Sequence, residues 1–187
     1  YSTAEPSQVA GEAAKYYTML FEDKVTCPDA RARIMRKLRR KAISSASAEE
    51  LERDITVEEV QAAMEHLPLG KQAGPNRVPN IVYRTLSKHF APKLARVINE
   101  AIKGEPLPKA MLEGDITLLH KKNSREDIRN YRPITLLNAD YKVYTRVLAR
   151  RMRTVVHQFV SESQKGFVPD TFIADCSMLM NLVESWV

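Results

Sequence analysis

Cysteine is scarce in this 187-residue chain: Cys27 and Cys176 stand far apart, and neither has a Cys or His at metal-ligand spacing. A disulfide framework and a zinc site are both excluded on that pattern, and a reducing, intracellular compartment is expected. No apolar run approaches the ~18 residues that a membrane span requires, so no membrane partner is expected. Tyr1 to Gln8 lacks the basic-then-apolar order of a secretory signal, and no initiator Met is present. The chain therefore reads as a piece of a longer one. Four histidines form no site: His66 and His89 fall on predicted helices, His120 ends a predicted strand, and His157 lies near a helix C-terminus, where a cation suits the dipole. There is no Ser–His–Asp or Cys–His arrangement, no phosphate-binding P-loop and no dinucleotide fingerprint. No internal repeat is visible.

What is present is core material and positive charge. Hydrophobic residues make up 44%, enough for a packed core, and 29 Lys and Arg against 23 Asp and Glu give a net charge of +6. The excess is modest, but its placement is uneven. Arg31, Arg33, Arg36, Lys37, Arg39, Arg40 and Lys41 fall within eleven residues with no acid between them. A helix carrying cations on several faces tracks a nucleic-acid backbone, with affinity that falls steeply as salt rises; the alternative is a solvated helix face.

Periodicity predicts a mainly helical α+β fold with a small antiparallel β-hairpin. A helix is expected over 6–24, with Val9, Ala13, Tyr16, Tyr17, Leu20 and Phe21 near one face. Residues 43–50 have linker composition, which separates a helical N-terminal extension (1–55) from a second region (56–187). Thr56 and Glu59 form a capping-box pattern ahead of Val57, Val60, Met64 and Leu67. After a loop at 71–79, helices are expected at about 80–89 and 91–103. Ile116 to His120 and Arg132 to Leu137 read as paired strands. Asn138 or Asp140 would cap a long helix to about His157, with an apolar face of Tyr141, Tyr144, Leu148, Met152, Val155 and Phe159. A last helix is expected over about 171–187.

The hairpin loop concentrates the chemistry. Lys121, Lys122, Arg125, Arg129 and Arg132 lie within twelve residues, opposed only by Glu126 and Asp127. Such cations form a mobile claw for a triphosphate or phosphodiester, because Arg offers a fork to phosphate oxygens and Lys a point charge. A solvated loop that keeps a sheet edge soluble has the same composition.

The segment Asn130-Tyr131-Arg132-Pro133-Ile134-Thr135-Leu136-Leu137-Asn138, followed by Asp140-Tyr141-Lys142, closely resembles the second fingers motif of non-LTR (LINE-type) retrotransposon reverse transcriptases. Leu67-Pro68, Lys71, Gly74-Pro75, Pro79 and Tyr83 resemble the upstream loop of that family. Asp115-Ile116 through Lys121-Lys122 resembles its first fingers motif, and Gln164-Lys165-Gly166-Phe167 its approach to the palm. The resemblance covers most of the chain from about residue 56, and the four matches occur in order. Two positions depart from it. Gly74-Pro75-Asn76-Arg77 stands where the family has Gly-Pro-Asp-Gly, and Met111 or Leu112 stands near the usual aromatic.

The resemblance implies an incomplete right-hand polymerase, comprising fingers and the start of a palm. Arg132 would contact the triphosphate of an incoming dNTP, assisted by Lys122. Lys71, Gly74, Pro75, Gln164 and Gly166, together with Arg36, Arg39 and Arg40 of the basic run, would lie along an RNA template and DNA primer. Template-directed synthesis holds Mg2+ between carboxylates, yet the sequence contains no Asp-Asp pair. Asp170 follows Pro169 in a helix N-cap position and Asp175 falls inside that helix, so neither is expected to bind metal. The catalytic acids are therefore expected beyond residue 187, with Mg2+ belonging to the parent enzyme and polymerisation absent from this piece. Two rival readings stay open: a non-catalytic nucleic-acid-binding module derived from a retroelement, and a helical scaffold whose charges merely solvate it. A cut through the palm would expose an apolar face around Leu179, Val183 and Trp186, which is expected to drive self-association. Light scattering at high concentration should report dimers or larger species; a strict monomer would refute this.

Overall fold

Thr56 begins the best-defined stretch of the fold. Its hydroxyl accepts the Glu59 N–H at 3.2 Å, while the Glu59 carboxylate accepts the Thr56 N–H at 2.9 Å, so two otherwise orphaned helix-end donors are satisfied reciprocally. The computed structural model describes residues 6–23, 26–37, 43–161 and 164–184. In chain order the described elements are α1 (Pro6–Phe21), α2 (Pro28–Lys37), α3 (Ser45–Glu52), α4 (Val57–Glu65), α5 (Asn80–Thr85), α6 (Ser87–Ile102) and α7 (Lys109–Leu112). These are followed by β1 (Gly114–His120), β2 (Tyr131–Leu137), α8 (Ala139–Phe159) and α9 (Ala174–Glu184). The two strands form one antiparallel sheet, so the mainly helical α+β expectation holds.

Contacts divide the chain into two compact units. One comprises Tyr1–Arg39 and Ile116–Thr135, the other Arg40–Asp115 and Leu136–Val187. In the first, the Tyr17 hydroxyl of α1 donates to the Tyr131 carbonyl at 3.1 Å, and Tyr17 stacks on Phe21 with centroids 6.1 Å apart. Core packing was the expectation for Phe21, but its ring is largely exposed.

The second unit holds the main core. Val60, Ala63, Met64 and Leu67 from the α4 region meet Ala91, Ala95 and Ile98 of α6 and Ala139, Val143 and Val147 of α8. The small Ala91 and Ala95, four residues apart on one helix face, let α4 approach α6 closely. The carbonyls at the end of α4 are taken up by side chains: Arg146 donates to His66, Arg84 to Leu67 and Asn80 to Pro68.

Several expectations need correction. The 43–50 "linker" is helical, because Ser44 caps α3 by accepting the Ser47 N–H at 3.2 Å. The break between the paired helices falls at Leu86 rather than near residue 90, and Pro92 lies inside α6. Pro92 forfeits only the bond to the carbonyl of Lys88, an exposed residue in the first turn that water can serve. Asp170 does not cap α9; it sits three residues earlier, at φ 56°. The buried seam of α8 is Val143, Val147, Arg151 and Val155, whereas Met152 and Phe159 are exposed.

Arg151 is the reason for that shift. It is only 7% exposed, and its Nε and Nη2 fork the Glu59 carboxylate at 2.8 Å each. The remaining N–H groups reach the carbonyls of Leu51, Arg53 and Asp54. Arg151, with Arg53 also nearby, holds the Glu59 carboxyl down at about 2 from its usual 4.5. A carboxylate with a depressed folded pKa stabilises above its unfolded pKa and loses that contribution as pH falls through the folded value. Unfolding midpoints should therefore drop between about pH 5 and pH 2, by a contribution of about 1–3 kcal/mol given partial solvent screening. In Glu59→Gln this acid-dependent drop should shrink, as urea titrations at several pH values would show. Arg151→Met should cost about 3 kcal/mol, because it leaves three carbonyls without their donor and Glu59 without its guanidinium fork.

Candidate nucleic-acid and nucleotide interface

The hairpin loop folds on itself, contrary to the expectation of a mobile claw. Lys121 N–H closes the ladder on the Asn130 carbonyl at 2.8 Å, and a short 3-10 turn over Ile128–Asn130 precedes β2. The Asn130 amide donates to the Ser124 carbonyl at 2.8 Å, and the Tyr131 hydroxyl to that of Arg125 at 2.9 Å. His120 packs edge-on against Tyr131, at 5.2 Å, which anchors the loop base.

Within this frame the cations divide. Arg129 is taken up by Asp127, its Nε and Nη2 lying 2.8–3.0 Å from both carboxylate oxygens, and this pairing lowers the Asp127 pKa. Arg129 is thus held in an exposed ion pair, unlike its neighbours. Lys121, Lys122, Arg125 and Arg132 are exposed, and among the described residues none forms an ion pair. Lys122 projects from the loop and Arg132 from the second residue of β2.

The other predicted positions belong to the second unit. Lys71 is exposed on the loop after α4. Gly74-Pro75-Asn76-Arg77 is a turn closed by the Arg77 N–H on the Gly74 carbonyl at 2.9 Å. Asn138 anchors it: its Oδ1 accepts the Asn76 N–H at 3.0 Å and its amide donates to the Ala110 carbonyl at 2.6 Å. Sequence reasoning placed Asn138 as a helix cap. It does occupy the N-cap backbone position of α8, but its buried side chain serves the loop and α7 instead. Gly74 is held to glycine by packing, because a Cβ would come within 2.4 Å of Asn138 Oδ1 and 2.6 Å of backbone atoms of Leu137 and Asn138. Arg77 holds φ 59°, a left-handed conformation that favours glycine, and glycine is what the related motif carries.

Gln164 and Gly166 lie together on an exposed loop, where the Gln164 amide donates to the Gly166 carbonyl at 3.0 Å. No close approach reserves the Gly166 position: a Cβ would meet only the Gln164 amide nitrogen, at 3.6 Å. Arg36 is an exposed residue of α2 whose Nε reaches the Ala32 carbonyl at 3.4 Å. Arg39 and Arg40 lie outside the described residues. No three His, Cys, Asp or Glu side chains converge among the described residues, and Asp175 faces Lys165 at 3.8 Å. Those residues do not fit a Mg2+ site.

Comparison with known proteins places this set of motifs. No family model matches the chain. It is 28% identical over 171 residues, 91% of its length, to the transposon TX1 uncharacterized 149 kDa protein of Xenopus laevis. It is 30% identical over 116 residues, 60% of its length, to the probable RNA-directed DNA polymerase from transposon BS of Drosophila melanogaster. The same identity and coverage relate it to the RNA-directed DNA polymerase from mobile element jockey of that species. The class these relatives define is that of transposon-encoded RNA-directed DNA polymerases. Two of the three are named as RNA-directed DNA polymerases of mobile elements, the class to which the motif resemblance points. The chain spans 13% of the length of each.

The two glycines are expected to respond differently. Gly74→Ala should destabilise by about 1–3 kcal/mol, because backbone atoms block the added methyl. Gly166→Ala should unfold at nearly the parental urea concentration. Equal midpoints for both variants would refute the tight loop packing.

Proposed function

We propose that the chain is the fingers subdomain and the beginning of the palm of a non-LTR reverse transcriptase, with a helical extension over 1–55. It contributes phosphate-binding cations to RNA-directed DNA synthesis. The observation that carries this reading is the division of charge at the hairpin. Arg129 is paired with Asp127, whereas Lys122 and Arg132, on the motif segments that resemble the family, are exposed and form no ion pair among the described residues. Arg132 supplies the fork to triphosphate oxygens, and Lys122 adds a point charge. Lys71, Gly74 and Pro75 at the upstream turn, Gln164 and Gly166 before the last helix, and the basic run with Arg36, Arg39 and Arg40 serve template and primer. Synthesis requires acids that this sequence lacks as an Asp-Asp pair, so the chain alone binds substrates without joining them.

Arg132→Ala and Lys122→Ala should each weaken nucleoside triphosphate binding roughly three- to ten-fold, with unfolding unchanged. Fluorescence titration with a labelled dNTP checks this, and unaltered affinity in both variants would remove the proposed site. Primer extension by the unaltered chain alone should yield no product.

A further inference from the structure

One helix carries charge that the proposed site does not use. α8 holds Lys142, Arg146, Arg150, Arg151 and Arg153 against a single acid, Asp140. Arg151 is buried on Glu59, but the others follow a different rule. At about 100° per residue, Lys142, Arg146, Arg150, Arg153 and His157 fall within about 80° of one another around the helix. At about 1.5 Å rise per residue the four basic residues, Lys142 to Arg153, form a line of roughly 17 Å, with a cation about every turn. Arg146 spends an N–H on the His66 carbonyl. Among the described residues Lys142, Arg150 and Arg153 form no ion pair, although Arg150 shares a hollow with Glu50 and Glu58.

Beside this stripe runs an apolar strip of Ala149, Met152 and Val156. It is faced by Phe167, Val168 and Pro169, and Arg153 lies in the same hollow. Phe167 is fully exposed, and its backbone holds φ 62°, a conformation that a bulky residue rarely adopts. The loop that presents it is pinned by the Thr171 hydroxyl, 2.7 Å from the Lys165 carbonyl and 2.8 Å from that of Val168. An exposed aromatic ring, next to an arginine that forms no ion pair among the described residues, is a stacking platform beside a phosphate ligand.

We propose that this face of α8 is a track for single-stranded RNA, with phosphates on Lys142, Arg150 and Arg153 and an unpaired base stacked on Phe167. The charge line alone would suit any polyanion. The ring selects a strand whose bases are free, because a duplex hides its base faces within the stack. The choice of RNA rests on the function proposed above.

The test is equilibrium binding of a labelled 15-nucleotide oligouridylate to the 187-residue chain at several salt concentrations. Lys142→Gln/Arg150→Gln/Arg153→Gln should bind at least ten-fold more weakly at low salt. Its plot of log affinity against log salt should flatten by about 2, at about 0.7 per lost phosphate contact on a single strand. Phe167→Ala should lose roughly ten-fold, and Phe167→Tyr should retain binding. Arg150, Arg153 and Phe167 are exposed and Lys142 is half-buried; circular dichroism of each variant checks that the fold is retained. Unchanged binding in the triple variant overturns the track, as does equal affinity for duplex RNA or tighter binding of oligothymidylate. Lys122→Gln/Arg132→Gln, measured in parallel, separates the two ideas. RNA binding weakened in that variant alone overturns the track and leaves the proposed function standing, whereas an unaltered chain that binds no RNA overturns both.

Discussion

Arg151 is the residue on which the helical unit depends. A guanidinium has five N–H donors, and burying one is tolerable only if nearly all are met. Here every one is, by the two Glu59 oxygens and the carbonyls of Leu51, Arg53 and Asp54. The carbonyls belong to the end of α3 and the joint that leads to α4, and Glu59 is also half of the α4 capping box. One side chain on α8 thus fixes where α3 stops, where α4 starts and how both lie on α8. The hydrophobic contacts of Val60, Met64, Ile98 and Val143 supply non-directional attraction. The guanidinium fork supplies the direction.

The same accounting explains which cations remain available for work. Arg151 is internal, Arg146 and Arg84 serve the end of α4, Arg53 pairs with Glu50 and Glu59, and Arg129 pairs with Asp127. Among the described residues, the cations left outside these structural roles include those of the hairpin and those along one face of α8. Phosphate binding is favoured at such places because an unpaired, solvent-facing cation need not break an internal bond to meet a ligand. Each such pair removes one acid together with one cation, so the net charge of +6 is left to the groups outside the pairs.

Asn138 ties the motif segment to this framework. It closes β2, opens α8, and its buried amide bridges the Gly74 turn and α7. Gly74 then has no room for a side chain, so a turn separated from Asn138 by more than sixty residues must carry glycine. Two of the ordered motifs are thereby joined by a steric and hydrogen-bonding constraint. Arg77, by contrast, occupies a left-handed position without glycine's freedom, and nothing in the structure compensates for it.

Local patterns determined a good deal of this protein. The Thr56 box, the paired strands, the long helix after Asn138 and the charge of the hairpin were all legible, because each depends on residues within a turn or two of one another. The ordered motifs also carried the resemblance to LINE-type enzymes, and two of the similar proteins are named RNA-directed DNA polymerases of mobile elements. Other features were decided only by tertiary structure. The segment after Ile43 became helical, Arg151 took a core position, Arg129 was withdrawn from the claw, and the cations of α8 were sorted into one lock and one open stripe. Charge in a sequence has no address: a helix face is defined by what packs against the opposite side, and whether an arginine is a strut or a ligand depends on acids and carbonyls brought to it from about a hundred residues away.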